Sequence, residues 1–80
     1  MPRTSGRIAA KPFDEAIVAR VKACRKALAL SQAAVGGMIG VTQQGLEQYE
    51  KGASCLSAGQ LYMLSKGMGV PMNFFYDELE

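Results

Sequence analysis

The sequence predicts an all-helical domain of five short helices, and three observations lead there. No stretch alternates apolar and polar residues as a half-buried strand would. Apolar residues recur instead at spacings of three and four, and the helix formers Ala, Leu, Met and Gln are abundant. Helix punctuation agrees, with Ser31 and Thr42 ahead of two short segments and Gly40 between them. The helices are expected at about 14–29, 32–39, 43–50, 58–67 and 71–79, forming one compact domain over 14–80. At 80 residues the chain has room for one modest core and no ligand-sensing domain beside it.

In the first helix Ile17, Val21, Arg25 and Leu28 fall on one stripe, which puts an arginine in the middle of an apolar face. A charge there needs a partner, and Glu50 is the natural candidate; the alternative is an Arg25 that snorkels past the stripe to water. Ser31 caps the second helix, which carries Val35, Met38 and Ile39, and Gly40 supplies the left-handed residue that ends it. Val41 then drops toward the core, and Thr42 caps a third helix. There Leu46 and Tyr49 form the packing stripe, while Gln43, Gln44, Glu47 and Gln48 lie on the opposite, wet side. The fourth helix carries Leu61, Leu64 and Met68 at helical spacing. Pro71 opens the fifth.

The wet face of the third helix is unusual in being mostly glutamine. A glutamine amide offers an acceptor and a donor, which match the N7 and N6 edge of adenine in the major groove; each such pair is worth roughly 1–3 kcal/mol of discrimination. Glutamine is also simply a good helix former on a solvated face, and the helix alone leaves both readings open.

Helix, tight turn, helix is the arrangement in which a second helix is free to enter a groove. Ser31-Gln32, Gly40-Val41-Thr42-Gln43-Gln44 and Glu47-Gln48-Tyr49-Glu50-Lys51-Gly52 resemble the Cro/repressor-type (XRE-type) helix-turn-helix domain of lambdoid phage repressors and small bacterial regulators. The likeness runs from about residue 16 to 75, through Arg20-Val21-Lys22 and Arg25 upstream and Leu61, Leu64 and Met68-Gly69-Val70 downstream. It implies a repressor-like fold in which helix 43–50 enters the major groove of double-stranded DNA. Gln43, Gln44 and Gln48 would read base edges. Gln32, Thr42, Lys51, Arg20 and Lys22 would hold the DNA backbone, and Arg25 and Glu50 would form an internal ion pair. The implied function is that of a sequence-specific transcriptional regulator, acting as a dimer on a palindromic operator.

Some residues depart from that pattern. Gly36 falls where the family wants a small residue against the next helix, but nothing in the sequence accounts for Gly37. Gly45 occupies a position where relatives often place a contacting side chain, which should narrow the bases read. The loop 53–56 lacks the basic residues that related repressors set on the backbone. These departures leave room for two alternatives: a protein-interaction module of the same fold, or the DNA-binding antitoxin of a toxin pair, with the C-terminal aromatics on the toxin.

Charge is uneven along the chain. Residues 1–26 hold seven basic and two acidic side chains, a net of +5; residues 27–76 cancel; Asp77, Glu78 and Glu80 make the end −3. Phosphate would therefore meet the N-terminal side. Arg3, Arg7 and Lys11 precede the first expected helix in a stretch rich in Gly, Ser, Thr and Pro. Residues 1–13 fit either a flexible basic arm that orders on DNA or an extension with incidental charge.

Cys24 and Cys55, in a chain without histidine, do not make an ordinary zinc site, and no general-base histidine exists. No enzyme activity, cofactor, metal or small-molecule ligand is therefore expected. With no apolar run near a membrane span and no signal-peptide core, the expected location is cytoplasmic. Phe74, Phe75 and Tyr76 cannot all face one small core, so a homodimer contact through this region is a candidate use for the exposed remainder.

Overall fold

A computed structural model describes residues 11–76, with four α-helices and one closing 3-10 turn: α1 Lys11–Ala27, α2 Gln32–Met38, α3 Gln43–Glu50, α4 Ala58–Met68, and the turn Met72–Phe75. Among these residues no helix is long and apolar enough to cross a membrane. The expected arm falls mostly on residues 1–10, outside the described residues; Lys11 belongs to α1, which begins three residues before the expected start.

Hydroxyl caps open three of the helices. Ser31 accepts from the Ala34 amide and Thr42 from that of Gly45, both at 3.0 Å. Ser57 and Gln60 form a reciprocal capping box, each side chain bonded to the other's backbone N–H. The helix ends are equally regular. Each of α1 to α4 closes with an amide bonded back to the carbonyl five residues earlier: Leu30 to Arg25, Val41 to Gly36, Ala53 to Gln48 and Val70 to Ser65, all within 2.9–3.1 Å. The left-handed residue this closure needs is Gly40, Gly52 or Gly69 in three cases and Ala29, at φ 58°, in the fourth. Ala29 thus carries backbone strain of roughly 1 kcal/mol.

That closure ends α1 two residues sooner than expected and corrects the place of Leu28. Lying past the last helical turn, Leu28 is exposed rather than on the inner stripe. Val18, Val21 and Cys24 line the inner side of α1 instead. The core joins Val21 and Cys24 to Val35 and Ile39 of α2, Leu46 of α3, Leu61, Leu64 and Met68 of α4, and Phe75. Burial pushes the Cys24 thiol pKa above its ordinary value.

The fifth helix is a correction too. Only one 3-10 turn forms, with Phe74 N–H bonded to the Pro71 carbonyl and Tyr76 N–H to that of Asn73. Pro71 provides no side-chain cap, and the Phe74 carbonyl, which a continuing α-helix would use internally, accepts from Arg20 Nη1 at 2.9 Å. The turn delivers Phe75 fully into the core with Phe74 edge-on to it at 5.6 Å. The rest of the expected helix, 77–79, lies outside the described residues.

Candidate nucleic-acid interface

α3 has one face that the fold uses and one that it does not. Leu46 is fully buried and Tyr49 half-buried, the Tyr49 hydroxyl accepting from Gln60 Nε2 at 3.1 Å, so that α4 is tied to α3 where both meet the core. Ser57-x-x-Gln60 was a legible capping-box pattern; its tie to Tyr49 was not. Gln44 and Gln48 on the other side are exposed, as is Gln43 in the first turn. Gln44 and Gln48 are four apart and share a face, with Gln43 beside them at the helix start. Thr42 is exposed at the same end while its Oγ1 serves the cap.

What sets the angle at which α3 stands is a close approach in the turn before it. A Cβ on Gly36 would lie 2.9 Å from the Val41 carbonyl oxygen and 3.0 Å from that of Thr42. Even alanine would strike backbone there, so Gly36 is the small residue that lets the turn close. Gly37 has open space around it. Nothing in the structure requires a glycine at that position. At Gly45 a Cβ would come 3.1 Å from Val41 Cβ, which gives this glycine a packing reason inside the turn.

A buried ion pair fastens the far end of α3. Arg25 Nε and Nη2 donate to the two Glu50 carboxylate oxygens at 2.7 and 3.1 Å, and Arg25 Nη1 donates to the Leu30 carbonyl at 3.1 Å. Their side chains are 11% and 3% exposed. Gln32 Nε2 adds a third bond to Glu50, at 3.0 Å. Burial of Glu50 works against its charge, but hydrogen bonds from Arg25 and Gln32 and the positive charges of Arg25 and Lys22 outweigh it. The carboxyl therefore ionises below the ordinary glutamate range. α1, α2 and α3 meet at this one carboxylate.

Lys22 and Lys51, both exposed, stand on a cleft of about 330 Å³ between α1 and the end of α3, with Glu15, Val18, Ala19 and Glu50 also lining it. Lys51 pairs with Glu47, four residues earlier, at 3.2 Å. Arg20 does not share this cleft. Two residues from Lys22, it points roughly 200° away around α1, and it clasps the Phe74 carbonyl. One nitrogen of its guanidinium is thus engaged by the scaffold, on a side of α1 away from Lys22. Of the three aromatics considered for a contact between copies, Phe75 is buried out of reach, Phe74 is half-buried and Tyr76 is exposed.

A model of the helix-turn-helix family matches residues 21–75, which contain all of α2, α3 and α4. The chain belongs to the Cro/repressor type of that family. A transcriptional regulator in the ATPase CF(0) region of Rhodospirillum rubrum is 37% identical to this helix-turn-helix domain over 67 residues, covering 84% of this chain and 62% of the relative. An HTH-type transcriptional regulator of Sinorhizobium medicae is 33% identical over 67 residues, covering 84% and 48%. Neither relative is characterised. The chain spans about half the length of the curated relatives it matches. Among solved structures, the P22 c2 repressor in complex with a synthetic operator superposes with a TM-score of 0.63 at 30% identity, covering 74% of this chain and 89% of the repressor chain. These relatives are regulators of transcription, and the family is not one of enzymes.

Proposed function

We propose that this helix-turn-helix domain is the DNA-reading part of a sequence-specific transcriptional regulator acting in the cytoplasm. The observation that carries the reading is the exposure of Gln44 and Gln48 on the side of α3 opposite the fully buried Leu46, with Gln43 exposed at the helix start. A helix held this firmly from behind presents its glutamines at fixed positions, and preorganised amides suit adenine edges. Lys22 and Lys51 take the phosphates beside the groove. Gln32 keeps one of its two amide hydrogens for a phosphate while the other holds Glu50, so a backbone contact is coupled to the reading helix. Thr42 stands at the start of the helix, and Arg3 and Arg7 add positive charge beyond α1. The P22 c2 repressor, similar in fold, is bound to an operator, which supports DNA as the partner here.

One short helix reads only a few base pairs, so the reading includes two copies on a palindrome with half-sites about 34–36 Å apart. Tyr76 is the exposed part of the aromatic stretch left for a contact between them.

The experiment is selection from a randomised duplex library by the purified chain across a salt series. A palindromic, adenine-containing motif is the expected result; negligible retention even at low salt would reject the reading and turn the glutamine face toward protein partners. With the selected operator in hand, Gln44→Ala should cost about 1–3 kcal/mol on that site and almost nothing on random duplex. Equal losses on both would remove Gln44 from base reading. Lys22→Ala should instead weaken all sequences alike and flatten the salt dependence.

A further inference from the structure

Beside the reading glutamines, α3 carries an acid. Glu47 lies one turn before the end of the helix, its Oε2 3.2 Å from Lys51 Nζ, with the two side chains 42% and 63% exposed. An acid four residues before a lysine is the favourable order for such a pair, so the contact suits the free domain. In the cleft that also holds Glu15, Glu50 and Lys22, Lys51 is a lysine that the proposed reading sets against phosphate. Its charge is therefore matched before any phosphate arrives. To contact phosphate Lys51 has to leave Glu47, and the carboxylate then faces a polyanion with its partner withdrawn. A cation held in this way contributes less counterion release than a free one.

We infer that Glu47 is a positioning residue that restrains Lys51 and so lowers the sequence-independent part of DNA affinity. The inference rests on α3 being the helix that reads DNA. The restraint is a bias rather than a lock, because exposed pairs are weak and a well-placed phosphate still recruits the lysine. Base preference stays with Gln43, Gln44 and Gln48.

The test uses the full chain as wild type, Glu47→Gln, Lys51→Ala and the double variant, with affinities for random duplex and for the selected operator measured over a salt series. Glu47→Gln should bind random duplex about two- to fivefold more tightly at low salt, and its log–log salt dependence should steepen by about 0.9, one phosphate's worth. The selected motif should be unchanged, and the gain should disappear with Lys51→Ala. A Glu47→Gln protein with wild-type affinity and slope overturns the inference. So does a gain that survives Lys51→Ala, which would mean plain repulsion between Glu47 and phosphate, and so does an altered base at one motif position, which would make Glu47 a reader. A wild type that selects an operator but is indifferent to Glu47→Gln loses only this inference. A wild type that binds no duplex loses the groove reading as well.

Discussion

α3 carries two glutamates in contact with cations, three residues apart, and the two contacts do opposite work. Glu50 is 3% exposed, receives three hydrogen bonds from Arg25 and Gln32, and joins α1 and α2 to the end of α3. Glu47 is 42% exposed and holds one flexible lysine. Burial makes the difference: away from water a charge that loses its partner has no replacement, whereas an exposed one exchanges it for solvent. One contact is thus locked and the other left adjustable, as a helix needs if it must keep its angle while its side chains meet a ligand.

The largest break in that contrast should come from Glu50→Ala, which strands Arg25 and is expected to cost about 3–5 kcal/mol in chemical unfolding. Glu47→Ala should stay within about 1 kcal/mol. Comparable losses from the two would dissolve the distinction. Acid should reproduce the first effect. Folded Glu50 ionises below its ordinary value of about 4.5, so its contribution is complete above that value and drains away as pH falls through the lower folded pKa. Between pH 7 and 3 the wild-type melting temperature should therefore fall more steeply than that of Glu50→Gln. Parallel curves would mean that the carboxylate charge is not what fastens the helix.

Next in size is the pair of adjacent glycines behind α3. Gly36→Ala drives a methyl into two backbone carbonyls and should cost about 1–3 kcal/mol, with operator binding lost faster than stability because the α2–α3 angle shifts. Gly37→Ala meets nothing and should stabilise the domain by up to about 1 kcal/mol. The opposite signs can be read in one thermal melt series. A destabilising Gly37→Ala would show that this position has a use the packing does not reveal.

Much of the motif was legible before the structure because its signals are local. Ser31 and Thr42 are caps, Gly40 is a left-handed stop, and Leu46 against Gln44 and Gln48 is a matter of helical period, all decided within a few residues of chain. Gln32 was half legible: its place at the start of α2 could be read, but its bond to Glu50, 18 residues away, could not. Arg20 and Lys22 look alike in sequence, two basic residues on one helix, and only the packing of the C-terminal turn separates the clasp on Phe74 from the residue at the cleft.

The sequence by itself therefore determined α2, α3 and α4, the caps Ser31 and Thr42, the stop at Gly40, the family and the glutamine face, because periodicity and end chemistry are short-range and each depends on neighbours within about one turn. Tertiary structure alone decided three things: that Gly36, where the resemblance asked only for a small residue, has no room even for a methyl; that the last described segment is a single turn; and that Arg20 clasps the Phe74 carbonyl. Each depends on what another part of the chain brings to within about 3 Å, a carbonyl at Gly36 and a guanidinium at Phe74. Distances of that kind are set by the packing of the whole core.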